Sequence, residues 1–192
     1  MSRFGIWLVL LALVSSLAIS TLSGQTAPAG KTQKSAEKPT PPLSYEIHHQ
    51  ILSLPFYSVF DSIDFTLEGK KVILTGQVLR RTLKENAEAA VKSIEGVDSV
   101  VNQIEILPTS PSDDDLRTAV YRALYEDSTL AHYAVQNVPP LHIIVNNGNV
   151  ALVGPVDSLS DKNLAGSLTG KVTNVLSVRN NLVVRAKENA AE

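Results

Sequence analysis

The segment KVILTGQV at 71–78 recurs 78 positions later as NVALVGPV at 149–156, with Val72, Leu74, Gly76 and Val78 matched by Val150, Leu152, Gly154 and Val156. Valine and leucine recur in strands for generic reasons. A glycine at the same phase is more telling, because it weakens a strand interior unless the backbone needs it. The match extends without a gap: Ile63, Phe65 and Leu67 fall on Leu141, Ile143 and Val145, and Val97, Val100 and Asn102 fall on Val175, Val178 and Asn180. Self-similarity at a fixed period is first of all architectural information. The chain holds two copies of one unit.

Each copy reads as α-β-β-α-β. In the second, Ser112 followed by Asp113, Asp114 and Asp115 has the chemistry of a helix start, with a hydroxyl cap and carboxylates facing the positive end of the dipole. That placement accounts for the acidic triplet without a cation. In the first, Ser44 is the expected cap, with Ile47 and Ile51 one turn apart. Hairpins follow: IDFTL and KVILTGQV flank Glu68-Gly69-Lys70, and LHIIV and NVALVGPV flank Asn146-Asn147-Gly148, whose Asn and Gly tolerate positive φ. The second helix carries Leu83, Ala87, Ala90, Val91 and Ile94, and its counterpart Leu164, Ala165, Leu168 and Val172. In the last strand Val100, Asn102, Ile104 and Ile106 point inward and Val101, Gln103 and Glu105 outward. The predicted fold is α+β: two tandem modules, 44–108 and 111–186, each a three-stranded mixed sheet with two helices on one face. Modules this small are marginal alone, which predicts that the copies pack against each other.

Outside the modules the chain changes character. Met1-Ser2-Arg3 and the apolar run at 5–19 read as a signal peptide within 1–24, shorter than the ~20 residues of a membrane span. An uncleaved anchor is the alternative. Residues 25–43, with Pro28, Pro39, Pro41 and Pro42, read as a disordered linker, and 187–192 as a polar tail. The expected location is the periplasm. With no cysteine there is neither a disulfide nor a lipidated N-terminal thiol.

Charge narrows the partners. Module 1 carries six basic and nine acidic residues, module 2 six and seven, which excludes the basic footprint of a nucleic-acid binder. His48-His49 is the one histidine pair, and adjacent helical residues point different ways, so it reads as an exposed face rather than a metal site. His132 and His142 stand alone. No nucleophile elbow, phosphate loop or zinc motif occurs. The chain reads as non-catalytic, with no cofactor and no small-molecule substrate.

The pattern V-x-L-x-G-x-V, an Ala-rich helix, then G-V-x-x-V-x-N-x-[IL], present as Val72/Leu74/Gly76/Val78 with Gly96-Val97, Val100, Asn102 and Ile104, resembles the BON domain. The second copy supplies Val150/Leu152/Gly154/Val156 with Val175, Val178, Asn180 and Leu182. An exported chain with two such domains is similar to the osmotically inducible periplasmic proteins. The resemblance implies binding of phospholipid or another envelope surface, in envelope or osmotic stress protection. Two departures stand out. Asn174 replaces Gly96, which predicts a looser turn in module 2. The loops at 54–61 and 130–140 are long and apolar, where the family often has a short acidic stretch.

The glycines Gly76 and Gly154 read as points of close helix–strand packing. Asn102 and Asn180, in phase with core valines, need hydrogen bonds and read as closing backbone turns. The best candidate for contact with lipid or partner is the 54–60 loop, with Phe56, Tyr57 and Phe60, joined by Arg80 and Arg81 at the start of the second helix. Aromatic rings suit a membrane interface. The opposing expectation is that the same rings fill the seam between modules. The two functions in view are association with phospholipid membrane and docking of an envelope protein.

Overall fold

The computed structural model describes residues 41–136 and 138–186, which lie in one compact unit, Thr40–Glu192. The leader, residues 25–40 of the linker and the tail from 187 lie outside the described residues. Module 1 runs α1 (Leu43–Leu52), β1 (Ser62–Glu68), β2 (Lys71–Val78), α2 (Arg81–Lys92), β3 (Ser99–Asn102) and a short β4 (Glu105–Ile106). Module 2 runs α3 (Pro111–Tyr125), a 3₁₀ turn (Ala131–Val135), β5 (His142–Asn146), β6 (Asn149–Val156), α4 (Leu159–Gly170) and β7 (Ser177–Val184).

Both sheets are mixed, with the middle strand antiparallel to its hairpin partner and parallel to the last strand. The register repeats with the sequence: Lys71 pairs with Ser99, and 78 residues on Asn149 pairs with Ser177. In module 1 the last strand is interrupted after Asn102 and resumes in the same register at Glu105. Ile106 pairs with buried Val78, but it sits at the rim of the sheet and is 37% exposed.

Each module has its own core. Ile47, Ile51, Val72, Leu74, Val78, Leu83, Ala87, Val91 and Ile104 fill the first, under α1 and α2. Leu116, Val120, Leu124, Leu141, Ile143, Val145, Leu152, Ala165 and Leu182 fill the second. The α1 start differs from expectation. Its N-cap is Pro42 and no side chain caps it. Leu43, Ile47 and Ile51 must share one stripe for Leu43 to pack on the core, so the helix begins at Leu43 and Ser44 falls inside it. In α3 the cap is Ser110, whose Oγ accepts from the Asp113 amide. Pro111 takes the first helical position, where its missing N–H costs nothing, and Ser112 lies one residue in.

Two glycine-type turns also resolve. Asn174 keeps the left-handed conformation of Gly96, with φ 69° against 93°, so the substitution does not loosen the turn. The Asn147-Gly148 turn has positive φ at both central residues, 49° and 76°, the geometry that matches hairpin twist.

Candidate functional site

The strand glycines are required by the neighbouring strand rather than by a helix. At Gly76, φ is +119° and an added Cβ would stand 2.0 Å from the Ser62 carbonyl oxygen. At Gly154, φ is +113° and the clash is with the Pro140 carbonyl oxygen at 1.9 Å. The backbone preceding or opening the first strand of each module presses on the second strand at the same point. Close helix–strand packing, the expectation from sequence, is therefore replaced by close strand–strand approach.

Asn102 donates from its side-chain amide to the Lys84 carbonyl at 2.9 Å and accepts from the Ile104 amide at 3.1 Å. Asn180 repeats this with Lys162 at 2.7 Å and Leu182 at 3.3 Å. Each ties the first turn of the second helix to the third strand. Asn102 also donates to Glu88 at 3.1 Å, so its amide is fully engaged within the module.

Asp113 does more than favour the helix dipole. It is buried, and its two carboxylate oxygens accept from the amides of Asn147 and Gly148 at 2.8 and 2.9 Å. The N-terminus of α3 thereby clamps the tip of the β5–β6 hairpin. Beside it, buried Arg117 donates to the Val145 carbonyl at 2.7 Å and pairs with Asp114.

The 54–60 loop divides between two environments. Val59 is buried in the module 2 core, Phe60 packs against that core and onto Tyr121, and the Val59 carbonyl accepts from the Ile143 amide at 2.8 Å. Tyr57 is half-buried against the module 1 core, and its ring meets His142 of module 2 at 5.5 Å. Burial pushes the Tyr57 hydroxyl up to about 12. These residues form the seam between modules. The sequence held one sign of it: LHIIV at 141–145 is an almost unbroken apolar run, as expected of a strand covered on both faces, and all five residues are buried.

Phe56 is placed differently. It is 71% exposed and its φ is +68°, a left-handed conformation in which a bulky side chain is an outlier. The Arg80 guanidinium lies over its ring, 4.9 Å from the centroid. Arg80 is the N-cap of α2 and Arg81 its first residue, both exposed, and the first turn contains no acidic residue. Two cations thus sit at the positive end of a helix, against the usual preference. The structure brings Phe56 and Arg80 together on one surface, with exposed Arg81 next along the helix, and withdraws Tyr57 and Phe60 into the seam. Among the described residues no cluster of metal-ligating side chains forms, and no helix is long and apolar enough to cross a membrane.

The fold and the site define a duplicated small α/β module with an exposed aromatic–cationic surface. Residues 59–108 and 112–186 match the BON domain model, and the chain belongs to the BON domain family. It is 30% identical over 113 residues to an outer membrane lipoprotein, DolP, of Haemophilus influenzae, a match covering 56% of this chain and 55% of that protein. The chain thus spans about half the length of the curated relative it matches. Among solved structures it is similar to CdsD, a structural protein of the type III secretion system of Chlamydia trachomatis, at 15% identity and a TM-score of 0.32, covering 76% of this chain and 94% of that one. A C-terminal domain structure of the same protein matches at 14% identity and a TM-score of 0.27, covering 75% and 98%.

Proposed function

We propose that this protein is a non-catalytic component of the cell envelope, facing the periplasm, that associates with phospholipid through Phe56, Arg80 and Arg81. The observation that carries the reading is Phe56, a phenylalanine held exposed at positive φ, where glycine would be the default. Local strain of this kind is retained where function uses it. Arg80 and Arg81 add positive charge at a helix N-terminus, which already favours phosphate. An aromatic ring for the acyl boundary and two guanidinium groups for headgroup phosphates are the chemistry of an interfacial contact. Family membership and the relative's name, an outer membrane lipoprotein, support placement in the envelope. A part in envelope or osmotic stress protection fits a binding module of this type.

The test is flotation of residues 25–192 with vesicles of phosphatidylethanolamine and phosphatidylglycerol. The wild-type fragment is expected to float, and the triple change Phe56→Ser, Arg80→Ser and Arg81→Ser to remain behind with its melting temperature kept. A second reading is a protein-binding adaptor. It is favoured by β7, an edge strand that pairs only with β6 among the described residues and exposes Leu176 beside it and Val183 on it. A wild-type fragment that ignores vesicles would transfer the function to that edge.

A further inference from the structure

His142 lies on β5 with its side chain turned away from the module 2 core, onto the loop that module 1 sends across the seam. It is 8% exposed. Tyr57 covers one side of the ring, and the backbone of Ser58 and Asp61 faces it and favours its charged form. Its Nδ1 is buried with no hydrogen-bond partner. The next residue, Ile143, donates the backbone hydrogen bond to Val59 that joins the modules.

We propose that His142 is an acid-sensitive latch: neutral, it lets the 54–61 loop close over β5, and protonated, it opens the seam between the modules. A proton added at Nδ1 would bury a charge on a nitrogen that makes no hydrogen bond, with little besides the Ser58 and Asp61 backbone close enough to favour it, and a buried charge so weakly compensated is costly. The groups that face the ring offer little relief. The Asp61 carboxylate is the nearest anion, but it already accepts from the Leu79 amide, the Ser58 amide and the Ser58 hydroxyl. Tyr57 stays neutral, its hydroxyl pushed up to about 12 by burial. From the other elements around this cleft come Asp64 of β1, His48 of α1 and Arg185 after β7, of which only Asp64 would favour a cation. In keeping with this, burial holds the His142 imidazole below its ordinary value of 6.5, and the Asp61 and Ser58 backbone and the Asp61 charge do not offset it.

The sign follows from linkage. A base whose folded pKa is depressed contributes its full stability above the unfolded value and loses it as pH falls toward the folded one. The seam is therefore closed above pH 6.5 and released in acid. Opening it would uncover Tyr57 and Phe60, independently of whether the Phe56 surface binds lipid.

The chain has no cysteine, so Asn86→Cys on α2 and Asn163→Cys on α4, both exposed, give two unique sites for spin labels on the full chain. The expected result is one narrow inter-label distance at pH 8 that broadens and lengthens at pH 5. With His142→Phe, or with His142→Gln, the distance should stay narrow at pH 5. A wild type that stays closed at pH 5, or variants that open as it does, would overturn the latch. If neither variant folds, the His142 ring signals of the wild type decide by NMR. Titration below 6.5 with the same midpoint as the distance change is expected, and titration near 6.5 with the distance unmoved overturns the proposal.

Discussion

Gly154 and Phe56 share a backbone region but carry opposite expectations. At Gly154 any side chain meets both a positive φ and the Pro140 carbonyl, so Gly154→Val is expected to cost about 2–4 kcal/mol, read as a lower urea midpoint at unchanged slope. At Phe56 glycine relieves the left-handed strain and gives up only the contact of Arg80 with an exposed ring. Phe56→Gly is expected to raise stability, by up to about 1 kcal/mol, while weakening vesicle binding. A loss of stability in Phe56→Gly would remove the strain argument on which the functional reading rests. The buried tyrosines set the alkaline limit. Burial pushes Tyr57 and Tyr133 up to about 12 and Tyr125 further still. In the unfolded chain each ionises near 10, so between pH 10 and about 12 the unfolded state loses protons that the folded state keeps, and stability falls. Thermal melts across that range test the sign.

At the scale of elements, the two modules differ in how their first helix is fixed. In α3 the Asp113 carboxylate holds the Asn147-Gly148 turn through two amides, whereas α1 has Pro42 at its N-cap and no capping side chain. Asp113→Ala removes the buried carboxylate that both amides donate to and is expected to cost about 1–3 kcal/mol. Ser112→Ala, one residue away and exposed, is expected to change stability by less than about 0.5 kcal/mol. Amide exchange of Asn147 and Gly148 provides the local measurement: it should accelerate in Asp113→Ala alone. Because α1 lacks such a clamp, its amides are expected to exchange faster than those of α3 in the intact chain.

The whole molecule depends on the loop that crosses between modules. Val59 contributes to the module 2 core and Tyr57 to the packing of module 1, so the seam is continuous with both interiors. Val59→Ala and Phe60→Ser together are expected to lower stability by several kcal/mol, since each buried apolar side chain is worth about 1.5–3 kcal/mol, and to leave the Phe56 surface in place. A Tyr57→Trp variant of residues 25–192 gives a single fluorescent reporter, because Trp7 is the chain's one tryptophan. Its emission is expected to be blue without lipid and little changed by vesicles. A blue shift that appears only with vesicles would place Tyr57 at the membrane instead.

The repeat, the α-β-β-α-β order, the hairpin turns and the pairing of each helix with its strand are written in one dimension. Periodicity records which side of an element is apolar, and a duplicated sequence forces a duplicated register, so Lys71–Ser99 and Asn149–Ser177 follow one from the other. The in-phase asparagines were legible for the same reason: a polar group among core valines needs a partner close at hand. What an apolar face meets is not recorded in that way. Phe56, Tyr57 and Phe60 are indistinguishable by composition, and only the tertiary structure separates one exposed ring from two packed ones, because burial depends on where the second module stands. Asp113 looked like a capping carboxylate because its distance from the hairpin is 34 residues along the chain and one hydrogen bond in space. The same holds for Gly76 and Gly154: sequence shows that a side chain is unwelcome there, and only the fold shows that the obstacle is a carbonyl oxygen of the neighbouring backbone.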